Sequence, residues 1–365
     1  MIRTWLSALL RGECPPWPFG PDQSFSPILD SAREECVVAL IHGRLLDPKL
    51  EGSVPAALRE CFATAARECA AQSLMREGEC RRILVRLAEA GIEVLLLKGS
   101  ALAYWAYASP YLRDCSDIDL LFRSRTEVDQ CVGILADFRF DPRERVLPGG
   151  LISFELTCVR DRRDGIPLEI DLHWQLSSAP MFAYRFDFDE LASTSIALPR
   201  LAPTARGLSA VYAYLHACMH RVQNMAWGGG NSLKWLFDLN VLGRGFTAGE
   251  WGEFAATAID RSLAAVCQDA IAASTAIFGD HVPAYVHSAL REAARREVMD
   301  VSEMHRWSYV QWMNFLAFPT TGQRLRWLRQ RVLPDIAYMQ ERYGGGGLLP
   351  MLGVRLRDGL RRLRG

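Results

Sequence analysis

The sequence predicts an α+β protein in which a central sheet, between about residues 91 and 200, is flanked by N-terminal and C-terminal helical regions that cover a cleft. Three observations carry this. Apolar residues recur at intervals of three and four over most of 26–90 and again beyond Pro203, the period of amphipathic helices. Short β-type runs fall only between those stretches. Two of these runs carry acids at i and i+2, an arrangement suited to a strand with one face in the core and one in a site.

The 365 residues suffice for about two domains and a real core without disulfides. With 50% hydrophobic residues, 23% charged and 42 acids against 42 cations, neither a disordered tail nor a coiled coil fits. Ten scattered cysteines, none in C-x-x-C spacing, read as reduced core thiols and lead to the expectation of a cytoplasmic protein. The apolar run before Arg11 is too short for a signal peptide, and no run approaches the roughly 18 apolar residues a bilayer span needs. Among the 42 cations only Lys49, Lys98 and Lys234 are lysines, which marks Lys98 and Lys234 as positions where a compact ammonium is wanted.

Along the chain, 26–90 reads as helical, with Pro55 suited to a first turn and Gly91 as the stop. Residues 92–97 form a β-type run, closed by Lys98-Gly99-Ser100 and followed by a buried helix over 101–108 that Ser109-Pro110 ends. Residues 118–122 are a second strand, and 126–138 a helix with Thr126 as N-cap. The runs 151–160 and 166–174 flank Asp161-Arg162-Arg163-Asp164-Gly165 as a candidate hairpin. Beyond Pro203 strands are expected to disappear, with helices over 208–225, 233–242, 250–278 and 283–299. The expected division is 1–90, helical; 91–200, sheet core; 201–343, helical domain; 344–365, a glycine joint with a basic amphipathic tail. Residues 321–365 hold ten arginines against Asp335, Glu341 and Asp358; nucleic acid, an acidic membrane surface or an acidic partner would suit that tail, and so would water.

The chemistry centres on Asp117-Ile118-Asp119-Leu120-Leu121. Its two carboxylates share one strand face and repel unless a cation lies between them, and carboxylate oxygens suit Mg²⁺. Glu169-Ile170-Asp171-Leu172 repeats the geometry, so Asp171, with or without Glu169, can join the first pair, and three acids can hold two metal ions. Gly99 and Ser100, where a strand turns into a helix, suit a phosphate.

These residues resemble the nucleotidyltransferase superfamily of the DNA polymerase β type. More narrowly, Leu97-Lys98-Gly99-Ser100-Ala101-Leu102, the run Leu112-Arg113-Asp114-Cys115-Ser116-Asp117-Ile118-Asp119-Leu120-Leu121, and Asp171-Leu172-His173-Trp174 resemble a bacterial family of uncharacterised nucleotidyltransferases. The likeness extends to the helical lead-in and to His216, His220, Lys234, Trp235 and Asp238, up to about residue 245. Two departures stand out: sixteen residues separate Ser100 from Asp117, against about a dozen in the general motif, and the third acid is Asp171 where this family often has Glu.

The resemblance implies a polymerase β-like mixed sheet. It further implies that Gly99 and Ser100 hold the phosphates of a nucleoside triphosphate, that Asp117, Asp119 and Asp171 bind Mg²⁺, and that Asp171 activates an attacking hydroxyl. NMP, AMP from ATP first among the candidates, would pass to a hydroxyl or phosphate of a small molecule, natural product or peptide. Competing readings are AMP transfer to a protein side chain, and a catalytically inactive module binding nucleotide, RNA or a partner. Lys98 and Arg113 are candidate phosphate-facing cations; alternatively Lys98 caps the strand end and Arg113 pairs with Asp114. Lys234 and Asp238 are candidate nucleotide or acceptor contacts, or an i, i+4 helix pair. His216 and His220 share a helix face but lack the Glu of H-E-x-x-H, which favours a structural or acceptor-site role over zinc. His173-Trp174 is expected to pack the hairpin.

Overall fold

The computed structural model describes residues 1–20, 24–144, 146–162, 165–344, 347, 350–355 and 357. Arg163 and Asp164 of the expected hairpin turn, and most of the basic tail, lie outside them. Four helices open the chain: α1 (Ile2–Leu10), α2 (Ser26–Glu34), α3 (Val38–Leu45) and α4 (Ala56–Glu89). The core follows as β1 (Leu95–Leu96), α5 (Lys98–Trp105), β2 (Asp117–Leu121), α6 (Arg125–Asp137), β3 (Asp141–Pro142), β4 (Glu155–Arg160) and β5 (Leu168–His173). Short helices α7 (Pro180–Ala183) and α8 (Phe188–Ser193) lead to β6 (Ile196–Ala197) and β7 (Arg206–Gly207). Then come α9 (Ala210–Gln223), α10 (Leu233–Gly245), α11 (Ala248–Asp260), α12 (Ala264–Phe278), α13 (Ala284–Ala294), α14 (Trp307–Leu316), α15 (Thr321–Val332) and α16 (Ile336–Tyr343).

The seven strands form one mixed sheet in the order β3-β4-β5-β2-β1-β7-β6. β2 runs parallel to β5 and antiparallel to β1, and β4 and β5 are the antiparallel hairpin that the sequence pattern predicts. The expected α+β class holds, with five local corrections. The 26–90 stretch breaks into three helices, because Cys36 takes a left-handed φ of 53° and prolines 48 and 55 interrupt the chain. The strand over 92–97 shortens, since Gly91 (φ 70°) and the bond from the Ile92 N–H to the Leu87 carbonyl still belong to the end of α4. The 250–278 helix is split where Ser262 turns left-handed (φ 53°). Strands do not stop at Pro203, for β7 pairs parallel with β1. The N-cap of α6 is Ser124, whose hydroxyl accepts from the Glu127 N–H, and not Thr126.

Period-two alternation sorts the sheet into two faces. On one, Leu96, Ile118, Leu120, Leu156, Ile170 and Leu172 pack against Ile83, Leu84 and Leu87 of α4 and Val128, Cys131 and Leu135 of α6. On the other, Leu95, Leu97 and Leu121 join a cluster shared by α1, α3, the first half of α4 and the C-terminal helices. At 34 residues α4 is about 50 Å long, which lets one helix serve both cores: Leu58 and Phe62 enter the second cluster and Cys80 to Leu87 the first. None of the described helices is long and apolar enough to cross a membrane.

A buried ion pair ties the sheet side to the helical side. Arg113, 5% exposed, lies at the end of the turn Pro110–Leu112 and donates from Nε (2.7 Å) and Nη2 (2.7 Å) to the carboxylate of Asp238 on α10. Tyr107 donates to the same carboxylate at 2.6 Å. Asp238 is thus engaged by Arg113 and not by Lys234, and Arg113 uses Asp114 only through its backbone carbonyl. Removing one member of such a pair strands the other's charge. Arg113→Met and Asp238→Asn are each expected to lower unfolding free energy by about 3–5 kcal/mol in urea titration, and the Arg113→Met/Asp238→Leu double variant to recover part of that loss.

Candidate active site

The parallel register of β2 on β5 builds the site. Asp119 lies directly beside Asp171, and Asp117 beside Glu169, all on the face that looks away from the α4/α6 layer. Antiparallel β4 then sets Thr157 beside Asp171 and Glu155 beside His173. Thr157 donates to Asp171 Oδ1 at 2.6 Å. Glu169 is drawn off by an ion pair with Arg143, so the carboxylates left free to converge are Asp117, Asp119 and Asp171.

Asp119 is 1% exposed, and its surroundings compensate its charge. The Lys98 ammonium lies 2.6 Å from Oδ1, and His173 Nε2 is 3.1 Å from the same oxygen. Burial works to raise the Asp119 pKa, but Lys98 and His173 outweigh it and hold the group well below the ordinary carboxylate range. The same ammonium is pulled down by its own burial and raised further by Asp119 and Asp117, so it stays charged. Asp117 and Asp171 move the other way: burial, then the Asp119 charge, raise both above the usual aspartate value. Lys98 is the lysine bonded within this cluster, Lys234 acts on Asp117 from farther off, and two of the three carboxylates retain elevated proton affinity.

The start of α5 is fixed to this cluster. Ser100 Oγ accepts from the Asp119 N–H at 3.0 Å and donates to the Asp117 carbonyl at 3.3 Å, while the Leu97 N–H donates to the Asp119 carbonyl at 3.1 Å. Gly99 is required by close approach. A Cβ there would sit 2.4 Å from Cys115 Sγ and 3.0 Å from Arg113 Nη1, so a side chain would push the helix start off its seat.

Helices α9 and α10 supply the opposite wall. Trp105, His216, His220, Lys234 and Trp235 line one cleft together with Lys98, Gly99, Arg113, Asp117, Asp119 and Asp238. The two site lysines therefore share a cleft, 136 positions apart in sequence. No carboxylate among the described residues comes within 4.0 Å of the Lys234 ammonium. His216 and His220 are T-shaped to each other at 6.3 Å, and His220 packs on Trp235 at 4.7 Å. Burial, then the Lys98 charge, pushes His216 down to about 3 and His220 well below its usual value, so both are neutral near pH 7.

His173 departs from the sequence expectation. It does not pack the hairpin but joins the acids, because β5 residues 169, 171 and 173 share one face. Its Nδ1 lies 3.4 Å from Glu155 Oε2, outside hydrogen-bond geometry, and has no hydrogen-bond partner among the described residues. Trp174, on the other face, packs as expected, edge-on to Phe154 at 6.4 Å and under the Arg125 guanidinium at 4.8 Å. Glu155 and Thr157 are site residues that the sequence reading passes over, since only the β4–β5 register reveals them.

A mixed sheet whose parallel central pair carries convergent carboxylates next to a glycine-serine helix start defines an α+β protein of the nucleotidyltransferase class. Residues 21–279 match the family described as uncharacterised nucleotidyltransferase, and the chain belongs to that family. No curated protein matches the chain.

The buried histidines make stability depend on pH. An unfolded histidine takes its proton near pH 6.5, the folded His216 only near 3, so acid favours the unfolded chain. The contribution is fully present above about pH 6.5 and is lost as pH falls from there towards 3, at up to about 1.4 kcal/mol per pH unit. Urea titrations at pH 7 and pH 5 should show the wild type losing about 1–2 kcal/mol more than His216→Gln.

Proposed function

We propose that this chain is a divalent-cation-dependent nucleotidyltransferase that moves NMP, AMP from ATP first among the candidates, to a hydroxyl or phosphate on a small molecule, natural product or peptide. The observation that carries the reading is the lateral placement of Asp119 against Asp171, with Asp117 one pleat along, beside the Gly99-Ser100 helix start.

The donor set fits a divalent cation. Asp119, Asp171 and His173 bring ligand atoms to within 4.8 Å of one another, and the His173 Nδ1 is a buried polar atom without a hydrogen bond. Asp117, Asp119 and Asp171 would hold the metal, Mg²⁺ by the hardness of the oxygens and two ions by the number of acids, with His173 bracing Asp119. When bound, the cation would supply Lewis-acid stabilisation of charge on the phosphoryl oxygens.

The chain's own residues supply the rest. The Gly99 and Ser100 N–H groups at the start of α5 face the phosphates, and Lys98 and Lys234 offer cations from opposite walls. The acceptor hydroxyl attacks the α-phosphorus in line; its proton passes to Asp171. The bond from the α-phosphorus to the bridging oxygen breaks, and pyrophosphate leaves. Arg113 and Asp238, held by each other at the cleft edge, act here by positioning Gly99 and α10.

The test is thermal stabilisation by each NTP with and without Mg²⁺, followed by pyrophosphate release over an acceptor panel. One NTP should raise the melting temperature only when Mg²⁺ is present. In the Asp117→Asn/Asp119→Asn variant that shift should disappear and pyrophosphate release should fall by at least about 10²–10³-fold. Absence of both responses in the wild type would overturn the reading.

A further inference from the structure

Asp119 is already neutralised by a cation of the chain itself. The Lys98 ammonium lies 2.6 Å from Oδ1, the oxygen that also faces His173 Nε2 at 3.1 Å. That position on a shared carboxylate oxygen is one a metal ion would contest. The balance of the cluster leaves room for the contest, because Lys98 supplies one positive charge where Asp117, Asp119 and Asp171 offer three negative ones.

Three further features suit Lys98 to leaving. Its side chain is 23% exposed while that of Asp119 is 2% exposed, so the ammonium reaches the carboxylate from the cleft and has a way back. It is a lysine in a chain that otherwise uses arginine at 39 of 42 cationic positions, and an ammonium on a flexible stem lets go of a carboxylate more readily than a bidentate guanidinium. Its backbone sits at φ 47°, a left-handed conformation disfavoured for any residue with a side chain, at the first position of α5.

We propose that Lys98 is the resident counter-ion of Asp119 in the ligand-free protein, that it gives up the carboxylate when a divalent cation enters, and that its ammonium then turns to the nucleotide's polyphosphate. The inference rests on the metal-binding reading of the three acids. It adds that cation uptake is weak until phosphate is present to receive Lys98, and the coupling is reciprocal: nucleotide tightens the cation as much as the cation tightens nucleotide.

The experiment measures Mn²⁺ binding, through the electron paramagnetic resonance signal of the free ion, for the wild type, Lys98→Met and Lys98→Arg, with and without a non-hydrolysable ATP analogue. Without nucleotide, Lys98→Met should bind Mn²⁺ about tenfold or more tightly than the wild type, and the analogue should tighten the wild type by a larger factor than the variant. Lys98→Met should melt at a lower temperature than the wild type without Mn²⁺ and regain the difference with it, a readout independent of turnover. Lys98→Arg should take up Mn²⁺ more weakly than the wild type even with the analogue. If Lys98→Met does not fold, this last comparison decides, and equal uptake by Lys98→Arg and the wild type overturns the proposal. Lys98→Met binding Mn²⁺ no better than a wild type that binds it with the analogue also overturns it, and leaves the metal site standing. No Mn²⁺ uptake by any form in any condition removes the metal-site reading and this inference with it.

Discussion

The buried charge of Asp119 is the constraint on which the centre of this molecule is arranged. Taking a carboxylate out of water costs several kcal/mol even after relaxation, and opposite charge and hydrogen bonds must offset that cost. Here partners come from three elements that flank β2. The start of α5 supplies Lys98 and the Ser100 hydroxyl on the Asp119 N–H, β5 supplies His173, and the chain leaving β1 supplies the Leu97 N–H on the Asp119 carbonyl. Loosen any of them and the strand pairing that sets Asp119 beside Asp171 loses an anchor. The same bonds fix where α5 begins, so the Gly99-Ser100 turn and the acids are one mechanical unit.

The cleft divides its charges by wall. The acids sit on the sheet and Lys98 and Trp105 on α5; neutral histidines, Trp235 and Lys234 line the helical side. The separation has a physical origin, because His216 and His220 cannot protonate while buried near the Lys98 ammonium. A neutral aromatic wall adds no charge of its own to the cleft. It offers instead a surface for rings and hydroxyls, and the same cleft holds the Trp105 N–H, which is buried without a partner among the described residues.

How much of this could be read from the sequence follows the range of the interactions. Asp117 and Asp119 are legible because a period of two decides which side chains share a face, and Asp171 because the hairpin returns a second acidic pair next to them. Gly99 and Ser100 are legible as a strand-to-helix turn. His173, Glu155 and Thr157 are not: their membership depends on which strand lies beside which and in what register, and β5 could have paired elsewhere without changing its pattern. Arg113 and Asp238 are 125 positions apart, so spacing suggests local partners for each, Asp114 and Lys234, while the tertiary fold gives them to each other. The two-residue strands β6 and β7 leave no periodic signal.

The long spacing between Ser100 and Asp117 is the departure that motivates an inactive binding module, and in the structure that segment ties the sheet side to α10. The extra chain runs from the end of α5 through Tyr107 and the Pro110–Leu112 turn to Arg113, and those two side chains close on Asp238. Despite the detour Ser100 still bonds both the Asp117 carbonyl and the Asp119 N–H, so the loop lengthens the path without moving its ends. What the added residues do is reach α10, the helix that carries Lys234 and Trp235 into the cleft, and hold it by a buried charge pair. The buried arginine lies against Gly99 and fixes the distance between the Gly99-Ser100 turn and the helical wall.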